Sequence, residues 1–454
     1  MKSLQNLTLI ALLIAFLSPF SAQAQRKTEY PGIFSYEDPI TLTSLDAISL
    51  HDRLKDPKAG QRNIDFGAQF RMRYNHERNH RNTSTVANSR GLTGADDDFL
   101  LYRTRLWLDA TLNRRVHFYF EFLDAESTLE QHAPRGNEVD RFDIHQAYLD
   151  LTVNDRLQVR VGRWSLDIGS TRMVGMGEWG NTRRAFDGLQ ATLAGEQFDF
   201  DAYYLQPLRM RPYEFNRTNH DVSIYGINSR QHVDDETTLQ YYWLAMDTVG
   251  ARFDTLGVYW KGERGNLLYE LEGALQVDTN FDDTDHKAGF GTVGLGTDLQ
   301  GSLAGQLWVY FDWASGSNST GNGFHHYQPR AHRFLGNMDL FGRRNINDLN
   351  VRWTHDPTDR LRFIVWYHYF SLVNMNDVPY NTNMTPFAGL GPGTSGNSSL
   401  GHEIDLLVRI SPTERLSFLI AYSHFFAGDY YRTTPGVPTS ADADFFYTQM
   451  ILEF

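Results

Sequence analysis

The sequence predicts an all-β fold, a transmembrane antiparallel β-barrel of about eighteen strands. Three observations predict it: a period-two alternation of apolar and polar residues, connections that switch between short and long, and a phenylalanine that ends an alternating segment. Side chains of a strand point to opposite faces in turn, so such segments carry one greasy and one polar face. Outer-membrane barrels combine an even strand number, short turns at one end and long loops at the other.

The first 24 residues read as an address rather than as part of the barrel. Lys2 gives a positive start, Leu7 to Leu17 an apolar run, and Ala22-Gln23-Ala24 a small-residue cleavage site. Residues 25–62 follow as a flexible segment, and 63–454 as the barrel. Removing Lys2 from 42 basic residues leaves 41 against 55 acidic ones, a mature net charge of −14. That balance opposes nucleic-acid binding, which needs clustered positive charge. The absence of cysteine excludes a disulfide scaffold, a thiolate metal site and a cysteine nucleophile. Beyond the first 24 residues no apolar run approaches the ~20 residues of a membrane helix.

The strands follow in order. In 64–74, IDFGAQFRMRY, Ile64, Phe66, Phe70, Met72 and Tyr74 share one face, and Asp65, Gln69, Arg71 and Arg73 the other. The same reading gives 98–111, 115–126, 141–153, 157–164, 186–194, 197–206, 221–230 and 237–246. It continues through 252–261, 267–278, 287–298, 304–313, 345–355, 360–370, 401–411 and 415–426. The last is 443–454, where Phe446, Met450, Leu452 and Phe454 fall on one side. Short connections include Asn154-Asp155-Arg156 and Pro412-Thr413-Glu414; long ones include 75–97, 165–185, 314–344, 371–400 and 427–442. In lipid every backbone polar group needs a partner, which forces closure, and a barrel of this size encloses an aqueous bore.

Four segments carry a family resemblance: YRTRLWLDA (102–110), FDIHQAYLDL (142–151), RVGRWSLDIGSTRMVG (160–175) and EWGNTRRAFDGLQATL (178–193). Together they resemble the alginate export porin family of Gram-negative outer membranes. The resemblance covers the first half of the mature chain; the second half agrees only in its strand-loop rhythm. It implies an eighteen-stranded passive outer-membrane conduit, with an arginine-rich lumen in the exporter that names the family.

If the apolar face meets lipid, the opposite face lines the bore. Arg71, Arg73, Arg103, Arg105, Arg160, Arg352, Arg362 and Arg409 lie there. Arginine suits carboxylated solutes because its planar fork binds a carboxylate with two hydrogen bonds and keeps its charge, and rings of Arg or Lys favour anions in pores. The same face carries Asp65, Asp109, Glu121, Asp150, Glu270, Glu272, Asp348, Glu403 and Asp405. Cross-strand pairing with the arginines is the structural alternative. Trp107, Tyr119, Tyr148, Tyr203, Trp308, Tyr310 and Trp366 also fall inward, as a sugar-stacking track or as an interface belt.

The segment 165–185 holds Arg172, Trp179, Arg183 and Arg184 between Arg163 and Asp187. It is either a constriction folded into the bore or an outer loop packed on itself. Strict alternation puts Arg163 on the lipid face, which is costly at mid-membrane; a bulge or a position at the rim is expected. Asp96-Asp97-Asp98 and Asp282-Asp283-Thr284-Asp285 offer oxygen ligands for Ca²⁺ but lack the EF-hand pattern, so solvated acidic loops are expected; His325-His326 with His332 could chelate a metal, but adjacent side chains diverge on a strand, so a solvent role is expected. No metal, cofactor or catalytic residue is assigned, and no Gly-x-Ser-x-Gly occurs.

The sequence thus predicts a non-enzymatic channel of the Gram-negative outer membrane for a hydrophilic, anionic solute such as a uronate-containing polysaccharide. The alternatives are a general or nutrient-uptake porin for small acids or oligosaccharides, and a barrel enzyme. The partners it implies are outer-membrane lipid, an anionic saccharide or small acid, and periplasmic export or uptake components.

Overall fold

Period-two alternation becomes strand wherever a neighbouring segment can take its backbone hydrogen bonds, and here the neighbours form a ring. The computed structural model describes residues 63–82, 91–234, 236–278, 287–318, 322–387 and 396–454. The proposed signal and the segment 25–62 lie outside them, as does Asp282-Asp283-Thr284-Asp285. In chain order the strands are β1 (Asn63–Arg78), β2 (Asp97–Asn113), β3 (Val116–Thr128), β4 (Asp140–Thr152), β5 (Leu157–Trp164), β6 (Phe186–Leu193), β7 (Phe198–Arg209), β8 (Arg217–Thr218), β9 (Val222–Asp234) and β10 (Thr237–Thr248). They continue as β11 (Ala251–Arg264), β12 (Leu267–Asp278), β13 (Lys287–Leu299), β14 (Gly305–Ala314), β15 (Ile346–Thr358), β16 (Leu361–Ser371), β17 (Ser399–Thr413), β18 (Leu416–Ala427) and β19 (Ala443–Glu453).

Among the described residues every strand pairing of the wall is antiparallel between ring neighbours. β8 is a two-residue extension paired to β7, so β7 pairs β9 directly and eighteen strands make the wall. β1 meets β19 with Tyr74 opposite Thr448, and Phe454 N–H donates to the Ala68 carbonyl at 2.9 Å, which closes the barrel. The eighteen expected strands are all present, most of them longer by a few residues. β1 runs to Arg78 and β17 through Thr413, because ladder pairing continues past the lipid band, where no apolar face is needed. A five-residue helix, α1 (Asp429–Thr433), was not anticipated.

Local chemistry sets the short turns. The Asn154 side chain accepts from the N–H of Arg156 at 2.9 Å and of Leu157 at 3.0 Å, and Asn113 accepts from Arg115 at 2.8 Å. Asx turns of this kind reverse the chain in few residues. The alternation of loop lengths has one exception: β10 and β11 are joined at the long-loop end by Val249-Gly250 alone, with Gly250 at φ +88°.

The wall has the two faces that the alternation requires. Leu106, Val161, Leu189, Ile227, Val258, Val293, Val309, Phe311, Val365 and Leu406 are exposed on the outside, where lipid covers them. Their neighbours Trp308, Tyr310 and Trp366 are buried inside. The apolar core therefore sits within the bore. Ile168, Met173, Val174, Phe324, Tyr327, Leu335 and Phe341, from the segments 165–185 and 315–345, pack there against wall residues such as Tyr242, Leu244 and Phe290.

Candidate functional site

Of the two readings of 165–185, the structure adopts the inward one. The segment leaves β5, crosses the bore and returns to β6. On one side it meets β1 and β2, and on the other β12, which lies nearly opposite in the ring. The first contact is made from the wall: Arg71 donates to the carbonyls of Glu178 and Gly180, both at 2.9 Å, and to the Asn181 side chain at 3.1 Å. Arg73 donates to the Trp179 carbonyl at 3.0 Å and stacks over its ring at 3.6 Å. Arg103 holds the Glu178 carboxylate, and Glu178 also takes Arg183 at 2.5 Å. Burial pushes the Glu178 carboxyl up, but Arg103, Arg183, Arg105 and Arg71 outweigh it and hold the group well below the usual carboxylate range.

The second contact is made by Arg172, which is buried and reaches Glu270 at 2.7 Å and Glu272 at 3.1 Å on β12. Burial lowers its basicity; Glu270, Asp312 and Glu272 raise it further, so it stays charged. A third contact is backbone to backbone. Gly175 N–H donates to Gln328 at 2.7 Å, Gln328 N–H to Met173 at 2.9 Å, and Arg330 N–H to Thr171 at 3.1 Å. This ties 165–185 to the segment 315–345, itself tied to 372–398 by Gly342 N–H on the Tyr380 carbonyl at 2.7 Å.

The remaining residues singled out from sequence fall into three places. Arg105 forms a fork with Glu121 at 2.9 and 2.7 Å, and Arg160 one with Asp150 at 2.7 and 3.0 Å; both pairs lie across neighbouring strands inside the bore. Arg183 adds to Glu121 at 3.3 Å, and Arg184 donates to the Pro329 carbonyl. Arg362 pairs with Asp356 at the short-turn end, opposite Arg409 in the β16–β17 register, far from the crossing segment. Arg163 and Asp187 face outward and pair with each other at 2.8 and 3.1 Å. Arg163 is the penultimate residue of β5, at the rim, and the Asn216 carbonyl and Thr218 hydroxyl of the segment after β7 close over the pair. Trp179 is half-buried: Arg73 lies over its ring and His332 stacks with it at 3.8 Å and 9°, while the residue still lines the larger chamber.

The acidic and histidine clusters have other work. Asp97 takes Arg81 at 2.9 Å, Asp98 takes His76 and Tyr74, and Asp96 takes the Asn79 N–H. His326 faces the Thr382 carbonyl and His332 faces Asp339, both at 2.9 Å. Among the described residues no three metal-capable side chains converge.

Among the described residues the crossing segments leave three chambers: one of about 290 Å³ beside Trp179, Arg183 and Arg184, and a smaller and a larger one that differ in charge. The smaller, about 90 Å³, is lined by Arg172, Lys261, Arg333 and Arg352 against Glu270 and Asp312, with Tyr259, Tyr310 and Trp366. Its carboxylates are taken by Arg172 and Arg343. Lys261, Arg333 and Arg352 make no ion pair among the described residues; Arg352 lies 5.5 Å from the Trp366 ring. Lys261 and Arg333 are the cations that the sequence reading missed. Lys261 was legible, since it ends the expected strand 252–261 on the same inward face as Tyr259, whereas nothing local marks Arg333. The larger chamber, about 770 Å³, opens among the long loops above Arg73, Asn75 and Glu77 of β1.

A family model described as "Alginate export" matches residues 62–442. No curated protein sequence matches the chain. Among solved structures, Pseudomonas aeruginosa OccD3 (OpdP) superposes with a TM-score of 0.59 at 13% identity, over 86% of this chain and 91% of that one. Acinetobacter baumannii OccAB4 gives 0.56 at 10% identity, over 88% and 100%. Pseudomonas aeruginosa OpdK with vanillate gives 0.55 at 12%, over 86% and 98%. These are likenesses of fold.

Proposed function

The chain belongs to the alginate export family and is a channel of the Gram-negative outer membrane, and on that premise we propose that it passes a hydrophilic anionic solute carrying carboxylates. The observation that carries this reading is the trio Lys261, Arg333 and Arg352, which face one small chamber and make no close ion pair among the described residues. Four cations against two acids line that chamber, so a solute carboxylate entering it meets net positive charge in a narrow space. Fixed cations there are weakly screened compared with exposed charges, and an arginine fork matches a carboxylate. Tyr310 and Trp366 give the same chamber apolar faces on which a sugar ring or an aromatic acid can rest.

A small acid, rather than a polymer, is the second reading. A space of about 90 Å³ holds about three waters at liquid density. Passage of a polymer therefore requires 165–185 or 315–345 to move. Reversal potentials of the purified protein in a salt gradient test the charge preference. Permeation of uronate monomers against oligomers then separates the two readings, and cation selectivity would refute both.

A further inference from the structure

The turn 336–338 is a partition between the smaller and the larger chamber. Arg333 and Phe334, just before it, line the smaller one, and Asn337 and Met338 line the larger. One wall side chain holds the turn. Glu403 of β17 accepts the Met338 N–H at 3.0 Å, and Gly336, at φ +81°, lies so close to that carboxyl that a Cβ would come within 2.6 Å of it. Glu403 is fully buried, as are Asp405 on the same face of β17, His368 opposite Glu403 on β16, and Asp348 on β15. His368 turns one ring nitrogen to Asp348 at 3.0 Å, and its other nitrogen lies 3.9 Å from Asp405. Three carboxyls thus face one imidazole, and among the described residues no arginine or lysine forms an ion pair with them.

We propose that Glu403 and Asp405 hold one proton between them and that this proton latches the turn 336–338 shut, so that its loss joins the two chambers. The two carboxyls lie within hydrogen-bonding reach of each other. Yet Glu403 Oε2 and both Asp405 oxygens have no donor in hydrogen-bond geometry, and the Ser423 hydroxyl, opposite Asp405 on β18, does not supply one. A carboxylate only accepts, whereas a carboxylic acid donates one hydrogen bond. One O–H shared by the pair therefore provides the missing donor, and two carboxylates in one buried site do not both ionise. The other charged groups nearby are engaged elsewhere: His332 of the crossing segment faces Asp339, and Asp312 takes Arg343. When the proton leaves to water, two anions remain without a cation. A single N–H from Met338 does not offset their burial, so water enters and the turn leaves the wall. A proton bound by the folded pair and not by separate carboxylates gives stability that is lost as pH rises. This sense is opposite to that of Glu178, whose arginines keep it ionised. The inference rests on the channel reading but not on its charge preference.

The experiment is single-channel recording of the full-length protein in planar bilayers from about pH 6 to about pH 9, with infrared difference spectra of the same protein. The open-to-closed ratio should rise with pH, by at most about tenfold per pH unit, the limit for one proton. Glu403→Gln and Asp405→Asn should flatten that rise and stay mostly closed, because an amide donates the bond without titrating. Each should also remove a protonated-carboxyl C=O band from the infrared spectrum, a signal that a merely structural carboxylate does not give. Gly336→Ala should be open across the range, since its Cβ displaces the turn from Glu403. The heat-modifiable gel shift checks that each variant is folded; should the amide variants lose it, Gly336→Ala and the parent's infrared band decide. A parent whose open fraction does not change with pH, a rise that survives both amide substitutions, or a parent without the band overturns the latch. If the rise and its loss occur in a channel that prefers cations, the anionic reading falls and the latch stands. Anion selectivity with no pH dependence removes the latch alone.

Discussion

The Arg73 guanidinium lies 3.6 Å above the Trp179 ring and donates to the Trp179 carbonyl at 3.0 Å, so one wall residue grips both the side chain and the backbone of the segment crossing the bore. The grip is reinforced from the other face by His332. A desolvated cation–π contact contributes about 0.5–2 kcal/mol. Arg73→Gln should therefore release the tip of 165–185 without unfolding the barrel. Single-channel recording should show larger or noisier conductance than the parent, with the heat-modifiable gel shift retained.

Selectivity should follow Lys261, Arg333 and Arg352. Changing all three to Gln should lower the anion/cation permeability ratio several-fold, measured by reversal potential. Arg160→Gln should leave the ratio nearly unchanged, since that guanidinium is already matched to Asp150. Equal ratios for the triple variant and the parent would remove the small chamber from the permeation path.

Arg172 should behave as a structural anchor. Its loss leaves Glu270 and Glu272 buried on β12 without their cation. Breaking one side of such a network costs about 3–5 kcal/mol. Arg172→Ala should lower the thermal midpoint or expose 165–185 to protease. Arg172→Met with Glu270→Gln should recover part of the loss.

Acid should loosen the crossing segments. Burial depresses the His325 imidazole to about 3 from an ordinary 6.5, with Arg344 adding to the effect. A neutral buried histidine gives stability that is complete above 6.5 and declines as pH falls toward 3. Glu178, also depressed, loses its contribution in the same direction, below the ordinary carboxylate value of 4.5. Protease sensitivity of 315–345 should rise between neutral pH and pH ~5, and His325→Phe should flatten that rise.

Topology gives the simplest test. A tag at Tyr213, exposed at the tip of the β7–β8 hairpin, should be reachable on intact cells, and one at Asn154-Asp155 should not. The long connection 314–344 is a poor tag site over its described residues 322–344, since Phe324, Tyr327, Leu335 and Phe341 pack inside.

The strands were legible because their signal is local: each needs only the residues two positions away. Inward placement of Arg71, Arg103 and Arg105 came from the same rule. What these arginines do was not legible, because the partner of Arg103 is Glu178, 75 residues distant and in a segment without periodicity. Trp179 reads as a sugar platform in isolation, and its ring is covered only through Arg73 and His332, from two other parts of the chain. The segment 165–185 could not be placed from sequence because its polar residues suit either water or the carboxylates of the wall.

The β1–β19 seam dictates a timetable. Gln69 and Glu453, bonded at 2.8 Å, are separated by 384 positions, and the final residue itself supplies ladder bonds to Ala68. No partial chain can close the ring, so every strand must be delivered before the first and last can meet. Until then two unpaired edges would face hydrocarbon, where each unsatisfied group costs several kcal/mol. Loss of even the last few residues should therefore act on biogenesis first, leaving unjoined chains for periplasmic proteases, rather than on the properties of finished pores.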